Sequence, residues 1–133
     1  MPQRELLDLF DAQTTVAVML ETPDAIANAD AIASVEGIDM VMVGPHDLTA
    51  EMGILGQFHD EAFLHAVRTV AKACRAHDTV FGIAGIRDVE LLTEFAALGL
   101  RFVSAGTDAG FLSEAAGAHA TRLRAIPVTG DTR

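Results

Sequence analysis

The chain has 133 residues, half of them apolar, a size that suits one domain with a substantial buried core. Nineteen acidic residues against nine basic ones give a formal charge of −10, which sets the molecule as a whole against phosphate backbones and anionic membrane surfaces. A single cysteine excludes an internal disulfide, and the absence of Trp and Tyr removes most of the side chains on which a base or sugar ring would stack. Small molecules and other proteins remain as partners, with nucleic acid and membrane set aside.

The opening residues predict a helix over 3–11 with Leu6, Leu7 and Phe10 on one face. Its mixed charge lacks the basic start and apolar run of a signal peptide, and no apolar stretch reaches about 18 residues, so a cytoplasmic protein is expected. A first strand is predicted over 15–20, followed by a helix over 23–34 opened by Thr22 as cap and Pro23 at the first helical position. A second strand, 38–43, leaves through Gly44-Pro45 into a short helix near Leu48. The segment 60–77 carries Phe63, Leu64, Val67, Val70, Ala71 and Cys74 on one helical stripe, so Cys74 reads as a small core residue. Strand 79–84, helix 88–98, strand 101–105 and a helix over 108–124 opened by Asp108 complete the order. All four strands are continuous apolar runs without polar alternation and are expected to be buried on both faces. Met40, Met42 and Met52 read as packing. Residues 1–124 are expected to form one domain and 125–133 a flexible tail.

Strands alternating with helices at roughly 30-residue spacing specify consecutive parallel strands joined by right-handed crossovers, an α/β fold. In such sheets ligands bind at the carboxyl ends of the strands. Glu21 ends the first strand and Asp47 follows the second; adjacent strands lie roughly 5 Å apart, so the two carboxylates are placed to converge. Converging carboxylates repel unless one holds a proton or a cation lies between them, and a divalent cation with oxygen ligands resolves the conflict. Taken singly, Asp47 reads as a cap for the short helix and Glu21 as an exposed loop acid. Beside them, the backbone N–H groups of His46, Asp47 and Leu48 at a helix start offer a seat for a carboxylate, which suits a 2-oxo acid.

These residues resemble the HpcH/HpaI aldolases of the phosphoenolpyruvate/pyruvate superfamily. The likeness rests on Val18-Met19-Leu20-Glu21-Thr22, on Val35-Glu36-Gly37-Ile38-Asp39, on the turn Gly44-Pro45-His46-Asp47-Leu48-Thr49 with Met52-Gly53, and on Leu98-Gly99, Phe102-Val103 and Gly106-Thr107-Asp108. It runs over about 4–119 and corresponds to the carboxyl-terminal half of a family member. The resemblance implies a metal-dependent aldolase, a carbon–carbon lyase that adds a pyruvate enolate reversibly to an aldehyde. It also implies Glu21 and Asp47 as ligands of Mg²⁺, Mn²⁺ or Co²⁺, and the backbone at His46 and Asp47 as the seat of the pyruvate carboxylate. Met19 stands where the family has a glutamine. The proton-transfer histidine and substrate-binding arginine belong to the half that this sequence does not match, so no catalytic side chain is assigned. A proton-transfer role for the His46 side chain is the less favoured alternative, and His59, His65, His77 and His119 read as surface or packing residues far from the strand ends.

Four βα units make half of a (β/α)8 barrel, which typically needs about 250 residues. Unpaired edges at the first and fourth strands then call for association, as a homo-oligomer or with a second chain that supplies the missing half. Two rival readings stand beside the aldolase: a citramalyl- or malyl-CoA lyase-like enzyme with a similar pair of acids, and a catalytically degenerate subunit with a structural or regulatory role.

Overall fold

Backbone pairing turns the four apolar runs into one sheet, described for residues 2–127 in a computed structural model. The elements in chain order are α1 (Gln3–Gln13), β1 (Ala17–Leu20), α2 (Pro23–Ala27), α3 (Ala29–Ala33), β2 (Met40–Val43) and α4 (Pro45–Glu51). They continue with α5 (Glu61–His77), β3 (Val80–Ala84), α6 (Val89–Ala97), β4 (Leu100–Ser104) and α7 (Asp108–Arg124). The strands are all parallel and lie in the order β1-β2-β3-β4, so each crossover reaches its immediate neighbour. The tail expected over 125–133 lies outside the described residues from 128 onward.

The core fills the space between one face of the sheet and the helices. Leu20, Val41, Val43, Phe81, Ile83 and Leu100 meet Ile26, Ala29 and Ala33 of α2 and α3, the stripe of α5, and Leu91 and Phe95 of α6. On α5 that stripe is Phe63, Ala66, Val67, Val70, Ala71, Ala73 and Cys74, with Leu64 at its margin. Asp60 caps α5 by accepting the Ala62 N–H, and Asp78, in the left-handed region at φ 57°, ends it.

Three sequence expectations need correction. The helix expected over 23–34 is two short helices that meet at Asn28, whose side-chain amide donates to the Asp24 carbonyl at 2.8 Å. A local side chain-to-backbone bond of this kind competes with regular helical pairing. Burial on both faces holds for β2 but not for the edge strands: Met19 of β1 is 46% exposed and Phe102 of β4 is 42% exposed, because no further strand or layer covers them here. Finally, Thr107 caps α7, accepting the Gly110 N–H at 3.1 Å, and Asp108 is the first residue inside the helix.

The face turned away from the helices has its own lining. Met40 and Met42 are only 8% and 7% exposed and lie outside the core cluster that packs on the helices. They lean over Gly82, where an added Cβ would come within 2.8 Å of Met42 Cγ and 3.2 Å of Met40 Sδ, with Phe102 beyond. The terminal helices α1 and α7 contribute no buried residue.

Candidate functional site

The carboxyl ends of β1 and β2 are locked together by the Gly44 N–H, which donates to the Leu20 carbonyl at 3.1 Å. Glu21 follows directly, and its side chain lies across Gly44: a Cβ at that position would stand 2.5 Å from Glu21 Oε1 and 2.6 Å from its Cγ. A side chain at position 44 would thus have to displace the Glu21 side chain, while the backbone angles there are ordinary. Gly44 also caps α4, Pro45 fits its first position because it has no N–H to satisfy, and the Leu48 N–H closes onto the Gly44 carbonyl at 3.0 Å.

That last bond narrows the seat expected from sequence. The Leu48 N–H is already engaged and its side chain is fully buried, so of the three N–H groups in this turn those of His46 and Asp47 remain without a hydrogen-bond partner among the described residues. Asp47 is not the cap of the helix; it projects from the first turn and is exposed. Glu21 is half-buried, and among the described residues neither acid takes part in an ion pair. The structure thus brings Glu21 onto the turn that leads to Asp47. No group of three or more His, Cys, Asp or Glu among the described residues is placed to hold a metal.

The turn is braced from below by Thr49. Its buried hydroxyl donates toward the Pro45 carbonyl at 2.7 Å and accepts the Gly56 N–H at 3.1 Å, which ties α4 to the loop that follows it. The His46 ring stacks edge-to-face on Phe58, with centroids 5.1 Å apart, and faces Gly85, where a Cβ would meet its Cε1 and Nδ1 at 3.1 Å. Gly85 has φ 71°, a left-handed conformation that excludes most side chains in any case.

His59 is exposed, as expected of a surface residue, and its Nε2 lies 2.9 Å from Asp88 Oδ2, in the loop that follows β3. Asp88 in turn caps α6 by accepting the Glu90 and Leu91 N–H groups. The Leu91 N–H and the His59 ring hold the Asp88 carboxyl below the usual aspartate value. His77 bonds to Asp30 at 3.0 Å and ties α5 to α3, away from the candidate site. Burial pushes the Cys74 thiol up, which fits a core residue and not a nucleophile. No periodicity places Phe58 or Gly85 beside His46, or pairs His59 with Asp88.

Residues 7–115 match the family model for HpcH/HpaI aldolase/citrate lyase. The chain belongs to this family. It is 38% identical over 127 residues to the 4-hydroxy-4-methyl-2-oxoglutarate aldolase of Hapsidospora irregularis, covering 90% of this chain and 47% of that protein. A hydroxypyruvate/pyruvate aldolase of Delftia acidovorans is 36% identical over 117 residues, covering 88% of this chain and 43% of its own length. Among solved structures, an HpcH/HpaI aldolase/citrate lyase family protein of Burkholderia cenocepacia superposes with a TM-score of 0.80 at 26% identity, over 93% of this chain and 48% of that one. The chain therefore spans less than half the length of the curated relatives it matches. Among the described residues no helix is long and apolar enough to cross a membrane.

Proposed function

We propose that this chain carries the metal- and carboxylate-binding part of an aldolase-type carbon–carbon lyase acting on a small 2-oxo acid such as pyruvate, with an aldehyde as the second substrate. The observation that carries the reading is the seating of Glu21 on Gly44, at the start of the turn to Asp47, with no cationic side chain among the described residues paired to either acid. Two hard carboxylate oxygens suit Mg²⁺, Mn²⁺ or Co²⁺, and Glu21 and Asp47 would hold it. A divalent cation there supplies Lewis-acid stabilisation of the negative charge that develops on the 2-oxo oxygen. The chain's own contribution is orientation. The unpartnered N–H groups of His46 and Asp47 receive the substrate carboxylate, and the Gly44 approach holds Glu21 over the same turn.

The group that moves the proton is not assigned to this chain. His46 is turned toward Phe58 and Gly85, which speaks for its backbone as the working part. The matched relatives are about twice as long, and both edge strands present unpaired backbone; these two facts support completion of the barrel by another copy or a second chain.

Calorimetric titration of Mn²⁺ tests the site. Wild type is expected to bind, and Glu21→Ala, Asp47→Ala and Gly44→Ala each to lose at least about 10-fold in affinity with the fold retained. Equal affinity in all four proteins removes the proposal.

A further inference from the structure

At the end of the sheet opposite Glu21, a cavity of about 270 Å³ opens between the carboxyl ends of α5 and α6 and the starts of β3 and β4. Cys74 and Phe81, both buried, line it from the side of the core. Arg75, from the last turn of α5, and Arg101, from β4, are exposed and lie on its rim with Asp78. Arg75 crosses to the end of α6, where its Nη2 donates to the Leu98 carbonyl at 2.8 Å, and Arg101 donates from Nη1 to the Leu100 carbonyl at 3.2 Å. A guanidinium has five N–H groups, so one such bond leaves most of them free.

Acids outnumber bases nineteen to nine in this chain, yet among the described residues neither Arg75 nor Arg101 forms an ion pair. Asp78 lines the same cavity without coming within ion-pair distance of either. Two lining carbonyls are already occupied: that of Leu98 accepts from Arg75, and that of Cys74 accepts the Asp78 and Thr79 N–H groups. The groups left over are donors. One is the Thr79 hydroxyl in the cavity wall, whose oxygen is shut off from water and lacks a hydrogen-bond partner, with the weakly accepting Cys74 sulfur beside it. Two guanidiniums against one carboxylate give the rim a net positive charge, although the chain's −10 repels anions at long range. An anion is therefore held only by contacts made inside the cavity. A phosphate group carries about −1.5 to −2 at neutral pH and offers oxygens to both forks at once, whereas a single carboxylate matches one fork.

We propose that this cavity binds a phosphate group, free or carried on a small organic molecule, between Arg75 and Arg101. Phe81 and Leu98 give a short apolar substituent a surface to lie on. The site is at the other end of the sheet from Glu21 and Asp47 and does not depend on how those acids are read. A bound phosphate ties α5 to β4, beside the bond that already ties α5 to α6.

The test is a titration of the full chain, followed in ¹H–¹⁵N spectra, with inorganic phosphate or phenyl phosphate and with sodium chloride at equal ionic strength. Both phosphates should give saturating shifts of the Arg75, Thr79, Gly99 and Arg101 amides, and chloride none. Arg101→Gln, which gives up only a bond to its neighbour's carbonyl, should weaken phosphate at least about 10-fold, as should Arg75→Lys, which keeps the charge but loses the fork. Arg68→Gln, an arginine of the same helix paired with Glu61, is expected to bind as wild type. Thr79→Val should weaken phosphate about threefold and yet raise the thermal midpoint of the unliganded chain, because it removes an unsatisfied buried hydroxyl. Tighter binding of phenyl phosphate assigns the site to an organic phosphate, and equal affinity assigns it to the free ion. Shifts that do not saturate, that chloride reproduces, or that Arg68→Gln diminishes as much as Arg101→Gln mean diffuse charge screening and overturn the site. The thermal midpoint of each variant shows that it is folded during the titration, and excess phosphate should raise that of wild type more than that of Arg101→Gln.

Discussion

The middle of the sheet and its margins are written in similar residues and end in opposite environments. β2 and β3 share Val41, Val43, Phe81 and Ile83 with α5, all essentially out of reach of water. β4 and the two terminal helices carry Phe102, Val103, Phe10, Phe111 and Leu112, all exposed by a third or more. Composition does not separate the two regions; neighbours do. An apolar run is stabilising only where a second layer removes it from water, and at the margins no described residue supplies that layer.

The contrast can be broken by mutation. Phe63→Ala should cost about 3–5 kcal/mol in chemical denaturation, because it empties a closed part of the core, whereas Phe111→Ala should stay within about 0.5 kcal/mol. Equal losses would mean that α7 is packed in solution as tightly as α5. A second experiment asks what the margins are for. Light scattering should report an assembly of at least two 14.0 kDa chains, and Phe102→Asp, placing a charge on the uncovered face, should shift it toward monomer without unfolding it. A monodisperse monomer at all concentrations would contradict completion by a second copy.

The smallest effect lies in a cap. Asp88 is held below the usual carboxylate pKa, so its contribution to stability is complete above the unfolded-state value and fades as pH falls through the depressed folded-state value. Wild type should therefore lose more thermal stability than Asp88→Asn on going from about pH 5 to about pH 3. Parallel curves would show that the His59 and N–H bonds to Asp88 do not persist in solution.

Much of this frame was legible because it is local. The stripe of α5 repeats at helical spacing, and uninterrupted runs such as Met40–Val43 allow few alternatives to a buried strand. Asn28 hid its break, since the stretch Ala-Ile-Ala-Asn-Ala-Asp-Ala-Ile-Ala has helical periodicity throughout and only a side-chain amide turned back on Asp24 interrupts it. In the candidate site, Glu21 and Asp47 were readable as strand-end acids, and Gly44 as a tight exit. That Gly44 serves as the bed for the Glu21 carboxylate, or that His59 meets Asp88 across 29 positions, is a fact of three dimensions that no periodicity encodes.

The thioethers folded over Gly82 have a further consequence. Methionine is unbranched, with rotamers of similar energy, so Met40 and Met42 can be dealt into a new arrangement at little cost. The sheet thereby carries a provisional upholstery over its open face: enough to shield its centre while the chain is alone, and loose enough to yield when another surface arrives to take its place.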